Sequence, residues 1–279
     1  MLTLILLAAL AADPLEIPGA VLKIVDDVAV PAAEAGVLAE IVAKEGKLVA
    51  EGDALAKILD SDVRLTVEKT KLEADIAHRK AENDVNLRFA IKSTEVARAE
   101  LRRSQETNEK YPKTVSDSEL DRQRLTVEKS ELETKQAEHE REVAGLTKDV
   151  KDNEHRTALD QLGRRTIAAP IRGMVVELHR KKGEWVQPGD TVARVIRLDK
   201  LRAEGFLPAK HAGMDLVGGK VTLKLVTPGG EELSCPGEIT FVSPEIDPLN
   251  AQVRIWAEVE NAELKLRPGM QATLVVEPK

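Results

Sequence analysis

The chain has 279 residues, of which 2% are aromatic and 32% are charged, and its formal net charge is −7. A compact enzyme of this length normally buries more aromatic side chains, so the composition favours charged, alanine- and leucine-rich helix. The negative charge excludes a chain built as a whole to wrap nucleic acid. The single cysteine, Cys235, excludes an intrachain disulfide and a multi-cysteine metal site, and we interpret it as a half-buried small residue.

The chain opens with an apolar run, Leu2–Ala12, which ends in the small-x-small pattern Ala9-Leu10-Ala11. The run is shorter than the roughly 20 apolar residues that a membrane-spanning helix needs. Its length is typical of the apolar part of an export signal. We therefore predict an export signal over residues 1–12. Cleavage of this run stays open, and the alternative is a buried N-terminal helix or strand.

Residues 13–63 contain short apolar runs separated by turn residues. Alternating Val, Ile and Leu are typical of half-buried strands. Gly46-Lys47 and Gly52-Asp53 are typical of the turns between such strands. The segment therefore predicts a lead-in strand followed by three or four short strands, which on their own would leave an apolar face exposed.

Residues 64–163 are predicted to form an antiparallel coiled-coil hairpin. Helix formers dominate the segment, and acid–base pairs recur at four-residue spacing, as at Asp84/Arg88. Each arm would have about 45 residues and a length of about 70 Å. A broken apolar stripe predicts the seam between the arms, and in the second arm it runs through Leu125, Leu132, Val143, Leu146 and Val150.

The ends of the two arms are marked by helix-breaking and helix-capping residues. Pro112 cannot continue a helix comfortably, so the tip of the hairpin is predicted near residues 111–117. Ser116 is a candidate N-cap, and Glu119 would complete a capping box. Gly163 is a candidate stop for the second arm.

Residues 164–201 repeat the pattern of residues 13–63. Internal self-similarity of this kind indicates two copies of one structural unit. Packed together, the two halves would form a small β-sandwich. The glycines that align without a gap, all of which we assign to structural turns, are Gly36, Gly46 and Gly52 in the first half and Gly173, Gly183 and Gly189 in the second.

Residues 202–279 are predicted to form short strands joined by turns. The run Leu266-Arg267-Pro268-Gly269-Met270 suits a tight turn with a positive φ angle at the glycine.

The order of these blocks resembles the periplasmic adaptor, or membrane fusion, proteins of the haemolysin-D type. The pattern Gly-x-x-Val-x-x-Gly-Asp-x-Leu at 46–55 resembles half of a biotinyl/lipoyl carrier domain. A lipoyl-like domain split by a helical hairpin is characteristic of this family. Gly237–Asp247 and Leu266–Met270 resemble motifs of its barrel. The resemblance extends from Val21 to Val276.

The resemblance implies an elongated α+β fold: a split lipoyl-like β-sandwich with an inserted antiparallel coiled-coil hairpin, followed by a small β-barrel. In that barrel Met270 would cap the interior. It implies a non-catalytic periplasmic adaptor of an efflux or secretion system, held at the inner membrane through its partner. That partner would be an inner-membrane transporter of ABC or RND type, bridged to an outer-membrane channel. Several copies would form a ring or funnel, with hinges near residues 60–63, 163–166 and 198–201.

The hairpin tip departs in part from the family pattern. Relatives that dock on an outer-membrane channel carry Arg, Leu and Ser at set spacing. Here Ser116, preceded by Val115, matches the serine, whereas Glu109 and Gln105 stand in the leucine and arginine positions. The resemblance therefore implies partner contacts at Gln105, Glu109, Val115 and Ser116. Ser116 also has the simpler explanation of a helix cap.

No catalytic, cofactor or metal motif stands out in the sequence. His-Glu-x-x-His, Gly-x-Ser-x-Gly and phosphate-loop patterns are all absent. Acyl carriers with this half-domain modify a lysine at the turn joining the halves, and here Leu59–Asp62 has none. We therefore predict no enzyme and no bound cofactor, metal or nucleic acid. The alternatives are a secreted coiled-coil scaffold with no transport role and, less favoured, a lipoyl or biotinyl carrier.

Overall fold

The structure is a computed structural model, and it describes residues 15–226 and 230–276. The chain divides into two compact units, one of Met1–Leu59 with Thr166–Lys279 and the other of Asp60–Arg165. The predicted export signal, residues 1–12, lies outside the described residues. None of the described helices is both long and apolar enough to cross a membrane.

The first unit contains all the β-structure of the described residues. In chain order its strands are β1 Leu15–Ile24, β2 Asp27–Pro31, β3 Gly36–Ile41, β4 Leu48–Val49, β5 Ala54–Ile58, β6 Thr166–Ala168, β7 Gly173–Leu178, β8 Trp185–Val186, β9 Thr191–Ile196, β10 Lys200–Pro208, β11 Lys220–Val226, β12 Glu232–Asp247, β13 Gln252–Glu260 and β14 Gln271–Val276. Two short 3₁₀ turns, Ala209–His211 and Met214–Leu216, lie between β10 and β11.

Six of these strands close into a barrel in the order β1-β10-β13-β12-β11-β14. Strand β1 pairs with β14 at its start, where Leu15 is opposite Val276, and with β10 at its end, where Val21 is opposite Glu204. The lead-in strand that the sequence grouped with residues 13–63 is therefore a barrel strand. Its buried residues include Ile17 and Leu22, which fill the same interior as the later strands.

The barrel interior is packed with aliphatic side chains and is not a pore. These side chains are at most 7% exposed, as expected for a small barrel whose inward-facing residues fill it. The largest of them are Ile17, Leu22, Leu201, Leu207, Leu223, Ile239, Ile255 and Leu274.

Strands β2–β9 form a second structure in the same unit, the two-sheet body. One sheet has the order β2-β9-β7-β4 and the other β6-β5-β3-β8. Each sheet takes strands from both repeated halves of the sequence, so the halves interleave and neither forms a sheet alone. The two sheets enclose one core that includes Leu38, Leu55, Val175, Val192 and Val195.

The glycines that the sequence assigns to turns fall into two groups. Four of them lie in turns with positive φ, namely Gly46, Gly52, Gly183 and Gly189. Gly36 and Gly173 instead occupy the first positions of β3 and β7, so the assignment of these two residues to turns is corrected. A Cβ atom on Gly173 would lie 2.2 Å from the carbonyl oxygen of Ile196, so close strand packing requires glycine there.

The predicted Pro268-Gly269 turn joins the barrel to its last strand. Gly269 has a φ of 91° and donates a backbone hydrogen bond to the carbonyl oxygen of Leu22. Leu22 in turn donates to the carbonyl oxygen of Met270, whose side chain packs against the barrel core. The turn thus fastens the start of β14 to β1.

The second unit is a helical hairpin built from α1 Ser61–Glu82, α2 Val85–Lys110 and α3 Asp117–Arg164. The first arm is not continuous as the sequence predicts, because Asn83 adopts an extended conformation and the helix restarts at Val85. The Asn83 side chain accepts a hydrogen bond from the backbone N–H of Val85 across this break. The second arm is a single helix of 48 residues that continues one residue beyond Gly163.

The seam between the arms consists of small side chains. Its buried residues are Val63, Ala74, Ala77, Ala90, Thr94, Ala97, Val127, Ser130, Ala144 and Ala158. Small contact residues allow two helices to approach closely. The larger apolar residues predicted to form the seam, Leu125, Leu132, Val143, Leu146 and Val150, are instead 46–64% exposed, and that prediction was wrong.

Candidate interaction surfaces of the helical hairpin

Both arms of the hairpin carry a row of large apolar side chains exposed to solvent. The α3 row comprises Leu125, Leu132, Val143, Leu146 and Val150. The first-arm row, on α1 and α2, comprises Leu65, Leu72, Ile76, Val85, Phe89 and Val96, which are 57–76% exposed. Exposed apolar groups arranged in a contiguous row are typical of interaction sites.

Helix geometry places the α3 row on the side opposite the seam, and the α2 part of the first-arm row about 100° from it, since Phe89 and Val96 directly precede Ala90 and Ala97. Leu132 follows the seam residue Ser130 by two positions, and Leu146 follows Ala144 in the same way. Two residues turn a helix by about 200°. Each arm therefore has two faces for packing, a narrow one occupied by the other arm and a larger apolar one that no residue of the hairpin covers.

Polar contacts across the seam fix the level at which the arms face each other. Thr70 Oγ1 lies 3.2 Å from His155 Nδ1, and Lys151 Nζ donates to Glu73 Oε2 at 3.0 Å. Further towards the tip, Thr94 Oγ1 lies 2.8 Å from the carbonyl oxygen of Ser130. The α3 row and the first-arm row consequently overlap along most of their length.

The ion pair between Lys151 and Glu73 in this seam shifts the pKa of both side chains. The hydrogen bond from Lys151 lowers the pKa of Glu73 below its ordinary value of 4.5. Carboxylates on Glu154 and Glu73 raise the pKa of Lys151. Both groups are solvent-accessible, so the pair orients the helices more than it stabilises them.

At the tip, Ser116 caps α3. Its Oγ accepts a hydrogen bond from the backbone N–H of Glu119 at 3.2 Å. The Glu119 carboxylate accepts instead from Arg122 and Gln123, so the reciprocal half of the predicted capping box is not made. This geometry accounts for Ser116 as a cap and leaves its role in partner binding a prediction.

Asn108 is the tip residue that sequence reasoning missed. Its Nδ2 donates to the carbonyl oxygen of Val115 at 2.8 Å, and its Oδ1 accepts from the Val115 N–H at 2.7 Å. The amide thereby closes the loop between α2 and α3. An asparagine eight residues before a predicted cap was the available signal, since its amide can both donate and accept.

The four predicted contact residues occupy different environments. Gln105, Glu109 and Ser116 are exposed, whereas Val115 is half-buried under the Asn108 amide. Glu109 lies in the last turn of α2, and Gln105 lies one turn earlier. Tyr111, at the end of α2, is 69% exposed and offers a large contact surface that the sequence did not single out.

No group of His, Cys, Asp and Glu side chains in residues 15–226 and 230–276 is arranged to hold a metal ion. Cys235 is half-buried on β12, and burial is the main cause that raises the pKa of its thiol. A raised pKa disfavours the reactive thiolate.

The barrel sequence matches a family model described as the CusB-like, beta-barrel domain, over residues 207–279. A curated relative, the nodulation protein NolF of Rhizobium meliloti, is 25% identical over 235 residues, which cover 83% of this chain. The chain spans about half the length of that relative, 54%.

The fold is similar to those of solved structures over nearly all of the chain. MacA from Actinobacillus actinomycetemcomitans matches with a TM-score of 0.61 and 22% identity, covering 93% of this chain and 78% of MacA. The membrane fusion protein Spr0693 from Streptococcus pneumoniae matches with a TM-score of 0.53 and 18% identity, covering 96% of this chain and all of that one. At these identities the likeness concerns the fold.

Proposed function

We propose that the chain is a membrane fusion protein and acts as a non-catalytic adaptor subunit of an efflux or secretion system, on the basis of its fold and its barrel sequence. We place it in the periplasm, in association with the inner membrane through a transporter. The apolar run Leu2–Ala12 would serve as its export signal.

One observation carries this proposal. A barrel of CusB-like sequence lies in a chain whose whole fold, hairpin included, is similar to MacA and to Spr0693. Fold alone does not determine function, so the barrel sequence is the more specific half of this observation.

The proposed partners are an inner-membrane transporter of ABC or RND type and an outer-membrane channel. The exposed tip, with Gln105, Glu109, Tyr111 and Ser116, supports contact with a channel at that end of the hairpin. Asn108 and the Ser116 cap hold the tip loop in one conformation, which reduces the entropy lost on docking.

We also propose that several copies assemble side by side through their hairpins. The α3 row and the first-arm row supply one apolar face on each side of a hairpin, so each copy can contact two neighbours. The rows differ in residues, so the contact would be heterologous, and heterologous contacts generate rings when the rotation closes. Because the rows overlap along most of their length, neighbours can pack side by side with little axial offset.

The two-sheet body supports a lipoyl-like sandwich in two interleaved halves, 27–63 and 164–201, with the hairpin between them at 64–163. The barrel at 202–279 takes β1 as an additional strand. The turn joining the halves, Leu59–Asp62, carries no lysine that a carrier would modify. A joining turn without lysine favours a scaffold over an acyl carrier.

The proposal is tested by crosslinking cells that express the C-terminally tagged chain, then identifying by mass spectrometry what copurifies from solubilised membranes. A matched variant has Ser61–Arg164 replaced by a short glycine linker. Because Lys57 on β5 is opposite Thr166 on β6, this linker joins neighbouring strands and should leave the β-unit folded.

The expected result is a transporter recovered with the full chain, and a channel recovered only when the hairpin is present. Recovery of the chain alone, or with envelope structural proteins only, would favour the coiled-coil scaffold instead. A lipoyl or biotin adduct in the intact mass would point to the carrier.

A further inference from the structure

The barrel and the two-sheet body are joined by two short links. Val25 and Asp26 connect β1 to β2, and Arg197–Asp199 connect β9 to β10. The family resemblance implied a hinge at residues 198–201. The contacts made by the two links indicate a rigid connection in place of a hinge.

A single guanidinium bridges the two links. Arg197 Nε donates to Asp199 Oδ1 at 2.8 Å, and Arg197 Nη1 donates to Asp26 Oδ2 at 3.3 Å. The backbone N–H of Arg197 also donates to the carbonyl oxygen of Asp26 at 2.9 Å. Asp199 and then Asp26 raise the pKa of Arg197. Burial alone would raise the pKa of Asp199, yet the bond from Arg197 brings it below its ordinary value of 3.8.

A buried asparagine on the barrel side holds the second link. Asn261 is 4% exposed. Its Nδ2 lies 2.7 Å from the carbonyl oxygen of Leu198 and 3.0 Å from that of Leu266, and its Oδ1 accepts from the Leu266 N–H. Its backbone N–H donates to the carbonyl oxygen of Asp199. The Asn261 side chain thus makes hydrogen bonds both to the second link and to the loop before β14.

Apolar packing does not fill the joint. A cleft of about 350 Å³ opens between the body, at Leu48 and Arg172, and the barrel, at Lys200, Glu260 and Leu264. Relative motion is the usual behaviour where the contact between two domains is small. The hydrogen bonds of Arg197 and Asn261 are the polar contacts that hold the two links at this joint.

We propose that Arg197 and Asn261 form a polar clamp that locks the barrel to the two-sheet body, so that the β-unit moves as one rigid piece. A displacement imposed on the barrel is then delivered to β5 and β6, the strands between which the hairpin is inserted. This property goes beyond the adaptor role and does not depend on the identity of any partner.

The test measures distances between two spin labels on the purified full-length chain by double electron–electron resonance. The labels are attached at Lys181→Cys on the body and Thr240→Cys on the barrel, both exposed positions, in a Cys235→Ser background. With the clamp intact the distance distribution is narrow. In Arg197→Ala its width roughly doubles, since the two domains then move relative to each other.

The matched control is Arg194→Ala, which removes an ion pair to Asp27 inside the body and leaves the clamp untouched. We expect Arg194→Ala to keep the narrow distance distribution of the wild type. Asn261→Ala is a second clamp variant, with thermal unfolding recorded for each protein so that loss of folding is recognised. An unchanged width in both folded clamp variants, or an equally broad wild-type distribution, would overturn the proposal. None of these outcomes bears on whether a transporter copurifies.

Discussion

At the scale of single residues, the tip of the hairpin depends on the Asn108 amide. Asn108→Ala removes both hydrogen bonds to Val115 and leaves its backbone groups without those partners. We expect a loss of about 1–3 kcal/mol in the free energy of unfolding of the hairpin. Urea unfolding followed by circular dichroism at 222 nm measures this. Gln105→Ala, an exposed change on the same helix, is the control, and equal stability of the two variants would contradict the expectation.

The pair between Asp27 on β2 and Arg194 on β9 makes a pH-dependent contribution to the body. The hydrogen bond from Arg194 lowers the pKa of Asp27 below 3.8. A carboxyl whose pKa is depressed on folding stabilises the fold above its unfolded pKa and loses that contribution as pH falls through the folded pKa. Asp27→Asn should therefore lower the melting temperature at pH 7, and the difference from wild type should shrink below about pH 4.

The effect is small because both side chains are about 40% exposed, and exposed pairs contribute about 0–1 kcal/mol. Melting curves from pH 3 to pH 7 measure it, with Glu45→Gln as a carboxylate change in the body outside the pair. A difference between Asp27→Asn and wild type that does not vary with pH would refute the linkage.

At the scale of elements, the break in the first arm has a cause in the spacing of the seam. On α3 the seam residues Ser130, Ala144 and Ala158 keep a strict repeat of two heptads. On the first arm Ala77 and Ala90 are thirteen residues apart, one short of two heptads. A continuous helix would rotate the seam away from α3 by about 100°. The extended residue Asn83 corrects this rotation.

Inserting one alanine after Asn83 should therefore allow α1 and α2 to fuse into one helix. The backbone amides near the insertion should gain protection in hydrogen exchange measured by mass spectrometry. The control is the same insertion after Arg103, which lies beyond Ala97, the last buried seam residue of α2. There the spacing has no defect to correct, so the extra residue should shift the end of α2 and destabilise the tip. Unchanged protection near residue 83 would show that the spacing is not the cause.

This element also shows which structural features the sequence can predict. Composition and Pro112 suffice to predict a hairpin and its tip, since both depend on local preferences. The seam could not be identified from hydropathy, because the sequence places its large apolar residues on the outside and alanine, serine and threonine inside. In the same way, alternation identifies β1 as a strand but carries no information on which sheet it joins, and β1 proved to close the barrel. Asn108 lies at a suggestive spacing from the predicted cap, but its two hydrogen bonds to Val115 across the loop are defined by the folded geometry.

At the scale of the whole molecule, the two outer rows make self-association the property to measure. The double variant Leu132→Gln, Leu146→Gln removes two large apolar groups from the α3 row. Both positions are more than 60% exposed, so the stability of the fold should change by no more than about 0.5 kcal/mol per site. Association should weaken at least about tenfold, since each exposed leucine buried at an interface contributes roughly 1.5–3 kcal/mol.

Sedimentation velocity over a range of protein concentrations measures this, with Glu128→Gln, Glu138→Gln as the control on exposed positions of the same helix. The control should associate as well as wild type or better, because it reduces charge without removing apolar surface. A variant at Phe89→Gln in the first-arm row should weaken association as well, since a heterologous contact needs both rows. If the leucine variants weaken association but Phe89→Gln does not, the α3 row packs against itself, which gives a dimer in place of a ring.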